Sequence, residues 1–176
     1  LSDGRPEEES LPGSTVICGI GFIAGVRCMV VVDDSGIMAG AMTGSTAYKI
    51  MRSEEIALQQ KLPYVHLVES AGGDLINYTV EGFSRGGGLF AGQAKLSKAG
   101  LPIISILHGS STAGGAYMPG MSDYVIAVSG NGKAFLAGPP LLKAATGEIA
   151  TEDALGCAEM HASVSGLAEY LAEDDC

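Results

Sequence analysis

Tryptophan is absent from this 176-residue chain, and aromatic residues make up only 6% of it. That scarcity argues against RNA-binding modules, which stack bases on aromatic side chains. Charged residues are also few, at 17%, while apolar residues reach 47%. This balance excludes a disordered acidic polypeptide, which combines charge with low hydrophobicity. A formal net charge of −10 also argues against nucleic acid as a partner.

Zinc-type cysteine pairs, membrane spans and signal peptides are equally lacking. The four cysteines form no CxxC pair and no cysteine–histidine cluster with zinc spacing, so we expect no metal. Isolated thiols indicate a reducing compartment. No apolar run approaches the ~18 residues of a membrane span, and the first residues lack a basic-then-apolar pattern. We therefore expect the cytoplasm, or the mitochondrial matrix if the source is eukaryotic.

Acidic residues are concentrated at the two ends of the chain. Between Ser10 and Gly147 the basic residues outnumber the acidic ones by one. This middle part can therefore accept a polyanionic small ligand. We expect residues 1–14, rich in Glu, Pro and Gly, to form an exposed lead-in to one domain over residues 15–176. The missing initiator Met suggests a fragment of a longer subunit.

The hydrophobic pattern predicts an α/β fold in which short apolar strands alternate with glycine turns and helices. Residues 15–24 and 26–34 are β-rich and predict an antiparallel pair. Glycine-rich residues 36–44 predict a loop or a short strand, and residues 82–88 predict a flexible stretch. Further strands are predicted at 64–68, 102–107, 124–128 and 133–136, and helices at 45–61, 89–99, 139–145, 151–155 and 166–172.

Two glycine turns follow two of these strands, at residues 69–73 and 108–116. Backbone N–H groups bared at such turns suit an anion or a developing oxyanion, since no Cβ blocks the approach of a carbonyl oxygen. Neither turn has the spacing of a dinucleotide-binding GxGxxG motif or of a Walker loop. Ser110 and Ser111 lack the GxSxG elbow of a serine hydrolase.

Two long motifs carry a resemblance to a known family. Residues 109–123, GSSTAGGAYMPGMSD, and residues 135–148, FLAGPPLLKAATGE, are similar to motifs of the carboxyltransferase (beta) subunits of biotin-dependent acyl-CoA carboxylases. Residues 52–57 and 160–166 also match. The resemblance is closest to the propionyl-CoA and methylcrotonyl-CoA carboxylase group, and it covers only the N-terminal, CoA-binding domain of such a subunit.

The resemblance implies a crotonase-like (ClpP/crotonase) superhelical α/β domain that transfers a carboxyl group from carboxybiotin to an acyl-CoA. The implied catalytic donors are the amides of Gly114, Gly115 and Ala116, which would form an oxyanion hole for a thioester enolate. Residues Ser70, Ala71, Gly72 and Gly73 would line the same pocket. The family's base is carboxybiotin itself, so the resemblance implies no catalytic carboxylate. It also implies no catalytic role for His66, His108 or His161.

The implied partners are acyl-CoA, the biotin carboxylase and biotin-carrier (alpha) subunit, the C-terminal carboxyltransferase domain and further beta subunits in a homo-oligomer. Arg85 and Lys143 are candidates to pair with CoA phosphates. Two alternatives stay open. One is another crotonase-like acyl-CoA enzyme, a hydratase or decarboxylase, which would need an acid such as Glu69 or Asp123 at the pocket. The other is a non-catalytic CoA-binding scaffold.

Overall fold

A mixed sheet of seven strands forms the centre of the molecule. The computed structural model describes residues 14–77 and 79–175. The strands are Val16–Ile23 (β1), Val26–Asp33 (β2), Tyr64–Ser70 (β3), Ile103–Thr112 (β4), Tyr124–Val128 (β5), Lys133–Phe135 (β6) and Tyr170–Ala172 (β7). They lie in the order β1–β2–β3–β4–β5–β7, while β6 pairs with the second half of β4. Only β1 and β2 are antiparallel to each other, and the other pairs are parallel.

Helices alternate with these strands, which confirms the predicted α/β class. They are Gly44–Gln60 (α1), Val80–Lys98 (α2), Gly114–Gly120 (α3), Pro139–Thr146 (α4), Glu152–Gly156 (α5) and Ala158–Met160 (α6). A 3₁₀ turn at Met38–Gly40 and a π turn at His161–Ser165 complete the regular structure. Within the described part of the chain, no helix is both long and apolar enough to cross a membrane.

The predicted antiparallel pair is confirmed as a two-residue hairpin. Ala24 and Gly25 join β1 to β2, and both have positive φ values, 49° and 79°. Such turns match the right-handed twist of the flanking strands. Residues 1–13 of the predicted lead-in lie outside the described residues. Its last residue, Ser14, is buried rather than exposed, because its hydroxyl lies 3.0 Å from that of Thr46 at the start of α1.

The main core lies where α1 and α2 cover one face of the sheet. An amphipathic helix buries its apolar stripe against such a face, and parallel strands need that cover. The buried side chains of this core are Val16, Met29, Val31, Ile50, Ala57, Leu62, Tyr64, Leu89, Leu96, Ile103 and Met118. A second cluster is built mostly from small residues: Leu107, Val125, Ala127, Ala134, Ala158 and Ala168.

The prediction of a flexible stretch at residues 82–88 is wrong, because these residues lie in the first turns of α2. Glycine in a helix interior costs about 1 kcal/mol relative to alanine, which is why the sequence favoured a loop. The structure offsets this cost at the amino end. The hydroxyl of Thr79 accepts a hydrogen bond from the N–H of Gly82 at 3.0 Å and caps the helix. Packing against α1 also stabilises α2 and offsets the remaining cost of its glycines.

Two other predictions are wrong for tertiary reasons. Residues 108–112 were assigned to a turn, but they extend β4, because Ser110–Thr112 pair with β6. Residues 166–172 were assigned to a helix, but Gly166 ends the π turn in a left-handed conformation. Tyr170–Ala172 then form β7 and pair with the outer edge of β5. In both cases a partner strand that is distant in sequence decides the conformation.

A buried carboxyl group lies between α1 and α2. Glu54 is only 3% exposed, and its two carboxyl oxygens have no hydrogen-bond partner among the described residues. It faces Gly92 of α2, where a Cβ would collide with the carboxyl group. Burial raises the pKa of Glu54 from 4.5 to about 9, although the charge of Lys95 opposes this. The group is therefore protonated at neutral pH.

This buried acid makes the stability of the fold depend on pH. The native state holds a proton that the unfolded chain releases above pH 4.5, so the free energy of unfolding falls as pH rises from 4.5 towards 9. We expect Glu54→Gln to remove this slope and to stabilise the fold at about pH 8 by at least ~1.4 kcal/mol, the value of one pKa unit. Urea unfolding at several pH values measures both the slope with pH and the free energy of unfolding at pH 8. Glu55→Gln, at an exposed neighbour, is the control, and equal slopes in the two variants would contradict the assignment.

Candidate functional site

The two glycine turns lie side by side at the carboxyl ends of β3 and β4. These strands are parallel neighbours, and Ser70 is paired with Ser111. A Cβ on Gly115 would lie 2.9 Å from the Cβ of Ser70. A Cβ on Gly72, which has a φ of 87°, would lie 2.9 Å from the carbonyl oxygen of Thr112. Glycine is therefore required at both positions for the turns to approach this closely.

The turn after β4 presents backbone amides beside an unusual backbone conformation. Ala113 has φ 49° and ψ −117°, and its N–H donates to the carbonyl of Phe135 at 3.1 Å. The amides of Gly114 and Gly115 find no acceptor among the described residues. The amide of Ala116, by contrast, donates to the carbonyl of Ala113 at 3.0 Å. Two of the three predicted donors are therefore unpaired within the described part of the chain, and one of them, Gly115, is buried.

The turn after β3 is held mainly by hydrogen bonds to the 3₁₀ turn at Met38–Gly40. The hydroxyl of Ser70 donates to the carbonyl of Gly40 at 2.7 Å and accepts from the N–H of Gly72 at 3.2 Å. Ala71 donates its N–H to the 3₁₀ turn. Of the four residues predicted to line the pocket here, Gly73 is the one that borders the cavity described next. The other three position the turn.

An apolar cavity of about 590 Å³ opens beside the two turns. The start of α1, the loop after β3, one face of α2 and the start of α3 form its walls. The sequence does not predict the contribution of α2, because glycine-rich residues 82–88 favour a flexible stretch. The lining residues are Met42, Thr43, Gly44, Ala47, Gly73, Asp74, Leu75, Asn77, Thr79, Gly82, Phe83, Gly86, Gly87, Leu89, Phe90, Ala113 and Gly114.

Comparison with known proteins assigns the family. A sequence profile described as "Carboxyl transferase domain" matches residues 2–176. The chain belongs to this family. It is 48% identical, over 93% of its length, to a probable biotin-dependent acyl-coenzyme A carboxylase beta2 subunit of Mycobacterium tuberculosis, of which it covers 31%. The predicted relationship to beta subunits of biotin-dependent acyl-CoA carboxylases is confirmed.

Solved structures of this family have the same fold. The geranyl-CoA carboxylase beta subunit of P. aeruginosa aligns with a TM-score of 0.87 and 48% identity, over 99% of this chain and 33% of that one. Transcarboxylase 12S, described as a hexamer with hydrolysed methylmalonyl-coenzyme A bound, aligns with a TM-score of 0.85 and 31% identity, over 96% and 33%. These likenesses confirm the crotonase-like fold. The chain spans about a third of the relatives it matches.

Among the described residues, no acid at the apolar cavity is suited to abstract a proton. Asp74 lines it, but the side chain and backbone of Asn77 donate to its carboxylate and lower the pKa. Such an ionised, hydrogen-bonded carboxylate is a weak base. Asp123 lies elsewhere, where it accepts from the N–H of Ile103 at 2.9 Å. Glu69 points to the opposite face of β3 from Ser70, since successive strand residues alternate.

The two cations predicted to hold CoA phosphates lie outside the cavity wall. Arg85 is exposed on α2, next to the lining residue Gly86. Lys143 is exposed on α4, the helix that follows β6. Because the carbonyl of Phe135, at the end of β6, accepts a hydrogen bond from Ala113, this segment is anchored to the turn at residues 113–116, the donor turn.

A second, polar cavity of about 410 Å³ lies where Glu69 points. The carboxylate of Glu69 accepts a hydrogen bond from the hydroxyl of Ser35 at 2.8 Å, and Nε2 of His108 is buried without a partner among the described residues. This group does not touch the donor turn. The lining residues are Glu69, His108, Gly109, Ser110, Gly130, Asn131, Lys133 and Asp175.

The other two histidines have structural contacts. Nε2 of His66 lies 3.1 Å from the carboxylate of Asp33 in the sheet interior. The ring of His161 lies between the carbonyl of Ala134, at 2.8 Å, and the hydroxyl of Ser165, at 2.7 Å. In the part of the chain that is described, no group of three or more His, Cys, Asp or Glu side chains is placed to hold a metal ion.

The conformation of Ala113 predicts a measurable strain. A non-glycine residue in such a region of φ and ψ costs of order 1–3 kcal/mol. We therefore expect Ala113→Gly to raise the free energy of unfolding by about 1 kcal/mol, after the extra entropy of glycine in the unfolded chain is subtracted. Chemical denaturation measures this. Ala116→Gly, inside α3, is the matched control and should lower stability by roughly 0.5–1 kcal/mol. Equal destabilisation by both changes would show that Ala113 is unstrained.

Proposed function

We propose that this chain holds the acyl-CoA in a biotin-dependent acyl-CoA carboxylase and stabilises the thioester enolate during carboxyl transfer. The enzyme would then combine it with a C-terminal carboxyltransferase domain, which receives biotin, and with the biotin carboxylase and biotin-carrier subunit. Further beta subunits would complete a homo-oligomer. This combination is called the assembled carboxylase below. Family membership and the geometry of the donor turn support the proposal.

The observation that carries it is the pair of acceptor-free amides at the start of α3. Gly114 borders the apolar cavity, and Gly115 follows it against Ser70. A thioester whose acyl group lies in the cavity has its carbonyl oxygen at these amides. Backbone N–H groups fixed by a strand and a neighbouring turn need no reorganisation as charge develops. The hydrogen bond from Ala113 to Phe135 fixes this turn from the other side.

Removal of a proton from the acyl group moves negative charge onto the thioester oxygen. The two amides then bind an oxyanion instead of a neutral carbonyl, and each such donor contributes roughly 3–4 kcal/mol to the transition state. Carboxybiotin, when bound opposite this wall, would supply the carboxyl group by cleavage of its N–C bond, and the biotin nitrogen that is freed would take up the proton of the acyl group. The amides of Gly114 and Gly115 have no acceptor among the described residues, and we assign them to the thioester. The acid that lines the cavity in the described part of the chain, Asp74, is hydrogen-bonded to Asn77 and does not suit hydration chemistry. This favours carboxyl transfer over a hydratase.

Substitution at the donor turn tests the enolate role. Gly115→Val places a branched side chain against Ser70 and displaces the amides. We expect kcat of the assembled carboxylase to fall by roughly 10²-fold or more, with a smaller change in acyl-CoA affinity. Exchange of the α protons of the acyl-CoA into D₂O, with biotin present, should fall in parallel.

Gly120→Ala is the matched control, because it lies on the same helix and its Cβ would meet no atom within 4 Å. This variant should keep both rates. Unchanged turnover in Gly115→Val would remove the turn from the mechanism. Acyl-CoA binding without any exchange or transfer in the unmodified enzyme would instead support the non-catalytic scaffold.

The phosphate-binding roles proposed for Arg85 and Lys143 have a kinetic signature. Contacts to the CoA phosphates are equal in the ground state and the transition state, so Arg85→Gln and Lys143→Gln should each raise KM several-fold and leave kcat nearly intact. The increase should shrink as salt rises, because these exposed charges are screened. Steady-state kinetics at two ionic strengths measure it. Lys98→Gln, on the same helix as Arg85, is the control, and identical kinetics in all three would contradict the roles.

A further inference from the structure

Helix α2 contains five glycines, and contacts with other residues explain only three of them. A Cβ on Gly82 would crowd the capping hydroxyl of Thr79. Cβ atoms on Gly88 and Gly92 would collide with Met51 and Glu54 of α1, so these glycines allow the two helices to pack. Their absence of a side chain has a structural reason.

The remaining two glycines have no such reason. A Cβ on Gly86 or Gly87 would meet no atom within 4 Å, and neither residue has a positive φ. Glycine at these positions weakens the helix and gains no internal contact in return. Both residues line the apolar cavity. What their missing side chains provide is room within it.

The shape and chemistry of that room indicate its occupant. The cavity of about 590 Å³ is several times the roughly 150 Å³ that holds a six-carbon ring in a dry protein site. Met42, Leu89 and Phe90 supply apolar wall. Asp74, the one charged lining residue in the described part of the chain, has its carboxylate hydrogen-bonded to Asn77. A two- or three-carbon acyl group would leave most of this apolar surface uncovered.

We propose that the acyl group carried by the substrate is an extended apolar chain of roughly eight or more carbons, whose distal part lies against Gly86 and Gly87. The inference rests on the proposed function, because it places the thioester at Gly114, which borders the same cavity. It goes further in naming the substrate class. A short acyl-CoA would be a poor substrate because it forgoes the burial of the chain.

The test is the dependence of binding on chain length. Isothermal titration of the assembled carboxylase with propionyl-, hexanoyl- and decanoyl-CoA, below their micelle concentrations, gives Kd for each. We expect Kd to fall with length, with a limit of about fourfold per buried methylene. Gly86→Leu should abolish the gain between propionyl- and decanoyl-CoA, and Gly86→Ala should reduce it.

The variants separate volume from helix stability. Alanine and leucine have similar helix propensities, so a graded loss from alanine to leucine reports filled space. Ser84→Leu is the matched control, since Ser84 is exposed on α2 and does not line the cavity. It should retain the chain-length dependence. Circular dichroism of each variant verifies that α2 is intact.

Two results would overturn the inference. One is a Kd that does not change with chain length, as expected if the pantetheine arm fills the cavity. The other is a full gain for decanoyl-CoA in Gly86→Leu. Failure of the proposed function is distinct from both. Carboxylation of propionyl-CoA with no dependence of Kd on chain length would support the proposed function and contradict the inference. Length-dependent binding with no carboxylation of any thioester would contradict the proposed function and leave the long apolar acyl site supported.

Discussion

The contact between Gly115 and Ser70 is the constraint on which the site depends. Two parallel strands end side by side, and each continues into a turn whose backbone must pass the other at a distance that a side chain would block. The hydroxyl of Ser70 bonds to both Gly40 and Gly72, so this turn is held in place beside the donors. Preorganised amides stabilise charge only if they cannot relax away, and the packed turns provide that rigidity.

Helix α2 shows how packing and ligand space share one element. Its apolar side chains Leu89 and Leu96 enter the core, and Gly92 lets the uncharged carboxyl of Glu54 lie between helices. Nearer the amino end, Gly86 and Gly87 have no side chain, and the helix forms the cavity wall there. The helix persists because its cap and its contacts with α1 outweigh the weak propensity of its glycines.

Local patterns predicted much of the fold. The apolar β-rich segments gave the hairpin of β1 and β2, and the apolar side of residues 45–61 gave α1. Predictions failed where a distant partner decides the conformation. Residues 170–172 join the sheet through β5, and residues 108–112 extend β4 because β6 lies beside them. Propensity over a short window contains no information about such partners.

The sequence by itself determined the family and the two glycine turns, because those turns need glycine at fixed positions and therefore form a recognisable sequence motif. Only the tertiary structure decided which backbone amides have acceptors and which glycines line the cavity. It left the amides of Gly114 and Gly115 without acceptors and engaged that of Ala116. It also placed Gly82, Gly86 and Gly87 of α2 in the wall of the cavity. Hydrogen-bond partners and empty volume are properties of the folded chain, since residues far apart in sequence create them.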